Sequence, residues 1–297
     1  MIKERIMNNL RVSVIIPAYN EAQTVGELIN QISNLYPDCE IIVINDGSKD
    51  ATASVAKEAG AIVYSHPYNI GNGAAIKSGI RIASGEVLVL MDADGQHDPG
   101  DIGRMLECFP DYDMVVGSRN KGGQANIFRG LGNKLLNRLA TYVAKFRVED
   151  LTSGFRAVKA EIAQKFLYLL PNTYSYPTTL TLAVLRDGRS MKYLPIKSAS
   201  RQTGKSQIRI MKDGVRFIMI ISKICTLYSP LRIFLPVSLF LLIIGLGYYY
   251  YTFYTSGRFT NMSALLFSTS VIIFMMGLVS EQVSQLRYER SSGDKFI

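Results

Sequence analysis

The chain has 297 residues, a formal net charge of +9, three cysteines and no tryptophan. That length accommodates one large α/β domain with an appendage, and Cys39, Cys108 and Cys225 are scattered without metal-ligand spacing, which excludes a disulfide framework or a zinc site. No RNA- or DNA-binding motif accompanies the basic surplus, much of which falls between Lys197 and Arg232, so it points to lipid headgroups and a phosphate-bearing substrate and not to nucleic acid.

In chain order, Val12–Pro17 and Glu40–Asn45 are β-branched runs, Ala61–Ser65 is a weaker one, and Glu86–Met91 is a strand with five apolar residues in a row. Between them fall the helical patterns Glu21–Leu35, Ala51–Ala59 and Ala74–Ala83, and Asp113–Gly117 adds a further strand. This alternation predicts a parallel sheet with right-handed crossovers. Ligands of such sheets bind at the carboxyl ends of the strands, and four of those ends carry polar groups. They are PAYNE with Pro17, Tyr19, Asn20 and Glu21; NDGSKDAT with Asp46 and Ser48 for a base or ribose and Asp50 as a helix cap; HPYNIGNGAAIKSG with Lys77 for a phosphate; and DADGQH. In the last, Asp92, Asp94 and Gln96 alternate, so an extended backbone would turn three oxygen donors to one side, as a hard cation requires. Asp98-Pro99 reads as a helix start.

From Ile233 to Tyr254 and from Met262 to Ser280 no residue is charged. Each stretch can cross ~30 Å of hydrocarbon as a helix. Lys212, Arg216, Lys223 and Arg232 precede the pair and Arg287, Arg290 and Lys295 follow it, against Arg258 alone in the connecting loop. The positive excess places both ends in the cytoplasm, and the N-terminal MIKERIMNNLRVSV lacks a signal-peptide core. The segment 207–228 mixes apolar residues with spaced cations and reads as an interfacial amphipathic helix. The expected divisions are 1–206, a cytoplasmic catalytic domain; 207–229, the juxtamembrane segment; and 230–297, a membrane hairpin with a cytoplasmic tail.

VSVIIPAYNEAQTV, IIVINDGSKDAT, NIGNGAAIKSGI and VLVLMDADGQHDP resemble successive motifs of the family-2 inverting glycosyltransferases. VGSR (116–119), DLTSGFRAV (150–158), SRQTGKS (200–206) and the hairpin narrow the resemblance to the polyprenyl-phosphate branch, similar to dolichyl-phosphate mannose synthase and undecaprenyl-phosphate glucosyltransferases. The resemblance implies a nucleotide-diphospho-sugar transferase domain of GT-A type, Rossmann-like, followed by a two-helix transmembrane hairpin in a cell membrane. It implies a nucleotide-diphospho-sugar donor, a polyprenyl-phosphate acceptor, Mg²⁺ or Mn²⁺, and a homo-oligomer. Carried over by motif, Pro17, Tyr19, Glu21, Ile44 and Asp46 would hold the nucleoside. Asp92 and Asp94 would flank the donor diphosphate, with Ala93 among the donor contacts and Asp94 and Gln96 on the metal. Arg119, Arg129 and Arg201 would contact donor or acceptor phosphates. Two departures stand out: Gln207 replaces the last lysine of R-x-x-G-x-S-K, leaving Lys205 or Arg209 as substitutes, and Asn45 replaces the first acid of DDGS.

The chemistry is consistent with those residues. A lipid monophosphate is already anionic near neutral pH, so it needs cations that align it with the anomeric carbon and not a strong base. Asp150 is then expected to orient the TSGFR turn and the arginines. His97 adjoins the metal position, His66 reads as a loop residue, and Glu281 as an interfacial anchor. A processive polysaccharide synthase is the rival enzyme, disfavoured by the missing tryptophan and by two spans too few for an export channel. A non-catalytic sugar-nucleotide sensor is the rival outside enzymes.

Overall fold

The structure, a computed structural model, describes residues 10–109, 111–119, 137–138, 140–142, 144–172, 175–196 and 229–293, with side chains described as far as 286. The chain divides into two compact units, Met1–Ile220 and Ile221–Ile297.

The first unit is built on seven strands: β1 (Val12–Ala18), β2 (Glu40–Asn45), β3 (Ile62–Ser65), β4 (Val87–Leu90), β5 (Met114–Arg119), β6 (Arg156–Lys159) and β7 (Met191–Ile196). Their order in the sheet is β3-β2-β1-β4-β6-β5-β7. The helices are α1 (Val25–Leu35), α2 (Thr52–Glu58), α3 (Asn72–Ile82), α4 (Asp101–Leu106), α5 (Ala160–Lys165) and α6 (Tyr176–Arg186). The four-residue window Glu21–Thr24 is a turn and not the first turn of α1. Likewise α4 begins at Asp101, because the Asp98 carboxylate accepts the Gly100 N–H and holds a turn across Pro99.

The alternation of strand residues sets two faces. Val12, Val14 and Ile16 of β1, with Ile41, Val43, Val87 and Val89, meet the buried stripe Val25, Leu28, Ile29 and Ile32 of α1. The other face of β2, Ile42 and Ile44, packs on Ala75 of α3. There α3 lies close against β1, since a Cβ on Gly79 would overlap Ile15 Cγ2. Ile15 is fully buried and β-branched, with no room to swing away. Gly79→Ala gains about 1 kcal/mol in helix propensity but loses about 1–3 kcal/mol to overpacking. The expected net result is a lower thermal midpoint in detergent.

The sheet is mixed, not parallel throughout. β6 runs antiparallel to both β4 and β5, with Leu90 opposite Arg156 and Val116 opposite Arg156 on the other side. The antiparallel strand brings the start of β6 to the edge where β4 and β5 end.

The second unit is a hairpin of α7 (Leu231–Ser256) and α8 (Asn261–Gly293), both long and apolar enough to cross a membrane. Gly257, with φ 61°, ends α7 in the left-handed region. Ser238 and Ser270 each donate to the other's carbonyl at 2.9 Å, which satisfies hydroxyls that lipid cannot. Gly277 admits Phe234 so closely that an added Cβ would lie 2.7 Å from it. Glu281 is more than a surface anchor: its Oε2 accepts the Leu231 N–H and the Ser229 hydroxyl, both at 3.2 Å, and so caps α7.

Candidate active site

The loops leaving β1 and β2 are laced together. The Asn20 N–H donates to Ser48 Oγ at 3.0 Å, the Lys49 N–H to Asn20 Oδ1 at 2.9 Å and the Glu21 N–H to Thr52 Oγ1 at 2.9 Å. Asn20 adopts φ 55°, a conformation asparagine tolerates, and the neighbouring Tyr19 ring stands 42% exposed. Asp50 ties the end of this lacing by accepting the Thr52 and Ala22 N–H groups. Burial would raise its pKa, but those hydrogen bonds outweigh it and hold the carboxyl below its ordinary value. Pro17 is buried within β1. Ile44 is 0% exposed, its side chain packed in the core beneath the site, so only its backbone faces the β2 loop. Ala93 is also enclosed, and its carbonyl accepts the Thr24 hydroxyl at 2.8 Å, joining the β1 and β4 loops.

Asp46 is buried at the end of β2. Its Oδ1 accepts the Ile70 N–H at 3.0 Å, its Oδ2 accepts the Gly71 N–H at 2.8 Å, and His66 Nδ1 lies 2.7 Å from Oδ1. His66 is therefore not a plain loop residue. Nothing local in the sequence ties a histidine at the exit of β3 to a buried acid on the neighbouring strand. Lys77 is half-buried in α3, where burial and then Arg81 lower its pKa.

Beyond β4 the backbone does not remain extended. Ala93 and Asp94 form a turn, Gly95 has φ 69°, and Asp94 Oδ1 accepts the Gln96 N–H at 3.2 Å. A turn and not strand alternation therefore sets Asp94 beside Gln96. Asp92 reaches across to Gly154, where an added Cβ would stand 2.5 Å from Oδ2. His97 is buried, stacked on Phe155 at 5.1 Å between centroids. Burial lowers its pKa, while Asp92 and Asp94 pull the other way. Its Nδ1 has no partner among the described residues.

Opposite stands Arg119, at the end of β5. Its Nε and Nη2 grip Asp150 at 2.8 and 3.1 Å, and Nη2 also donates to Thr152 Oγ1 at 2.9 Å. Burial would raise Asp150, but the Arg119 hydrogen bonds and charge, with the Thr152 bonds, hold it below the carboxylate range. Asp150 thus orients both the arginine and the TSG turn. The edge of Arg119 that carries Nε and Nη2 is thus occupied by Asp150. Arg156, fully buried, is a residue that sequence reasoning passed over. It donates to the carbonyls of Ser153 and Pro177 and to Thr181 Oγ1, and lies 6.0 Å from the Tyr176 ring. Burial lowers its pKa. Arg129, Arg201, Lys205, Gln207 and Arg209 lie outside the described residues, as does the segment 207–228.

The mixed α/β sheet of the first unit is that of a glycosyltransferase domain of GT-A type. Residues 13–167 match glycosyl transferase family 2, and residues 229–286 match the GtrB C-terminal hairpin. The chain belongs to glycosyl transferase family 2. It is 31% identical over 231 residues to an uncharacterized protein of Methanocaldococcus jannaschii, covering 73% of this chain and 94% of that protein. It is 29% identical over 214 residues to the polyprenol monophosphomannose synthase of Mycolicibacterium smegmatis, covering 67% of this chain and 81% of the synthase. In fold it is similar to glucosyl-3-phosphoglycerate synthase of Mycobacterium tuberculosis crystallised with Mn²⁺ and UDP-glucose. The TM-score is 0.61 at 20% identity, over 76% of this chain and 82% of that one.

Proposed function

We propose that the protein transfers a sugar from a nucleoside-diphosphate donor to a polyprenyl phosphate at a membrane surface, with inversion at the anomeric carbon. The observation that carries the reading is the meeting, at one sheet edge, of Asp92 and Asp94 with the Asp150-oriented Arg119, with Gln96 held on the Asp94 turn. The polyprenol monophosphomannose synthase likeness and the hairpin match support a lipid phosphate as acceptor.

Two carboxylates and a carboxamide are a hard, all-oxygen set suited to Mg²⁺ or Mn²⁺, and the Mn²⁺ bound by the Mycobacterium tuberculosis neighbour supports that use. Asp94 and Gln96 would hold the cation, which when bound would neutralise charge on the departing diphosphate. Tyr19 and Glu21 would line the nucleoside, with Pro17 and the buried Asp46 fixing the loops behind it. Arg119, joined by Arg129, Arg201 and Lys205, would place the acceptor phosphate in line with the anomeric carbon. That phosphate brings its own negative charge, so no residue need take a proton in the attack. The hairpin would keep this site beside the bilayer, with the catalytic domain and both ends of the chain on the cytoplasmic side.

Membranes carrying the protein, supplied with radiolabelled nucleotide sugars and a long-chain polyprenyl phosphate, should yield label that extracts into organic solvent. Labelled polymer would instead support a polysaccharide synthase. Absence of turnover with every donor would support a sensor.

A further inference from the structure

Asp46, His66 and Ser78 form a continuous buried chain. His66 Nδ1 lies 2.7 Å from Asp46 Oδ1, and His66 Nε2 lies 2.9 Å from Ser78 Oγ on α3. The imidazole side chain is 5% exposed and the carboxylate 4%. The order of groups is that of a hydrolytic triad, but Ser78 sits inside a regular helix whose N–H groups are bonded to carbonyls four residues back, so no donors remain for an oxyanion. The arrangement holds something in place instead. The main chain at Tyr68 and Asn69 presses on Gly47, which has φ 70° and no space for a Cβ. Ile70 and Gly71 then hang from the Asp46 carboxylate. Loop 66–71 is thus clamped to the end of β2, the edge facing the proposed donor.

We infer that His66 and Ser78 are positioning residues for the donor: they fix Asp46 and loop 66–71 so that the pocket recognises the nucleoside part of a nucleoside diphosphate. This rests on the reading of Asp46 as a donor-side residue. Among the described residues Asp46 has three donors, which leaves one lone-pair direction on Oδ2 suited to an N–H of a base. A buried carboxylate that loses one donor turns or draws in water, and the loop it carries shifts with it. Arg119, Asp94 and Gln96 lie on other loops and Lys77 is carried by the body of α3 and not by loop 66–71, so the diphosphate should not feel the change.

The test is calorimetric binding by the full-length protein in detergent, with Mg²⁺ present, of uridine diphosphate, guanosine diphosphate and, as a base-free probe, inorganic pyrophosphate. His66→Ala is expected to weaken the nucleoside diphosphate that binds by about ten- to a hundredfold while pyrophosphate affinity stays within about twofold. In turnover, donor KM should rise with kcat nearly unchanged. His66→Asn, which keeps an N–H near the Nδ1 position, should recover most of the loss, and Ser78→Ala should cost less than His66→Ala. Wild-type nucleoside diphosphate binding by His66→Ala, or equal weakening of pyrophosphate, would overturn the inference. Should His66→Ala fail to fold, His66→Asn and Ser78→Ala decide on the same measure, and wild-type affinity in Ser78→Ala with no gain in selectivity for pyrophosphate would overturn it. If Asp46→Asn also binds like wild type, it is the donor-side reading of Asp46 that fails.

Discussion

Asp94→Ala is expected to lower sugar transfer by at least about a hundredfold while the protein stays folded. The side chain lies past the end of β4 in a partly exposed turn, so its loss opens no core cavity. What is lost is one charged oxygen of the proposed cation set and the acceptor of the Gln96 N–H that shapes the turn. Gln96→Ala removes a neutral ligand and leaves the turn's acceptor intact. Its defect should be smaller and should shrink as Mn²⁺ is raised, whereas the Asp94→Ala defect should persist. Transfer and metal titrations on the two variants check this; undiminished transfer by Asp94→Ala at limiting Mn²⁺ would remove the metal assignment.

Arg119→Lys is expected to lower transfer by about one to three orders of magnitude with nucleotide affinity changed by no more than a few-fold. Lysine keeps a charge but cannot hold both Asp150 oxygens and still present a donor from the far side of the fork. Asp150→Asn should do less harm, because the amide oxygen can still accept from Arg119 and Thr152. A general base at Asp150 would demand the reverse order. The structure disfavours it: a carboxylate gripped by Arg119 and Thr152, with its pKa held down, is a poor proton acceptor. The sign of the linkage follows. Because the folded pKa is depressed, the pair's contribution to stability is complete above the ordinary carboxylate value near pH 4 and is lost as pH falls through the lower folded value. Activity of the three proteins against one lipid acceptor across pH separates the mechanisms, and an inactive Asp150→Asn beside an active Arg119→Lys would favour proton abstraction.

Much of the donor half was legible because its signals are local. Val14–Ala18 and Ile41–Ile44 are unbroken apolar runs, and the polar groups follow each run directly. The hairpin was legible for the same reason. The acceptor half was not. RAVK is four residues with no alternation that distinguishes its direction, and its antiparallel placement depends on partners 87–90 and 114–116, far away in sequence. The burial of the Ile44 side chain was not legible either, because a motif places a residue near a ligand without saying which side of the strand it faces. The grip of Asp150 on Arg119 joins residues that no periodicity connects. His66 shows the remaining gap: a lone histidine in a loop says nothing of a buried acid on the adjacent strand.

The position of β6 also bears on how the chain acquires its shape during synthesis. Residues 12–90 supply β1 to β4, each hydrogen-bonded to another strand of that group, so this half can close using only chain already made. β5 emerges next and finds no neighbour in that half, because the place beside β4 belongs to a strand roughly forty residues later. Long closures of this kind are slow and leave strand borders open in the interval. The donor pocket is therefore expected to exist before the acceptor side is attached to it, and pulse-labelled hydrogen exchange during refolding should protect Ile15 and Val43 before Val115 and Ala157.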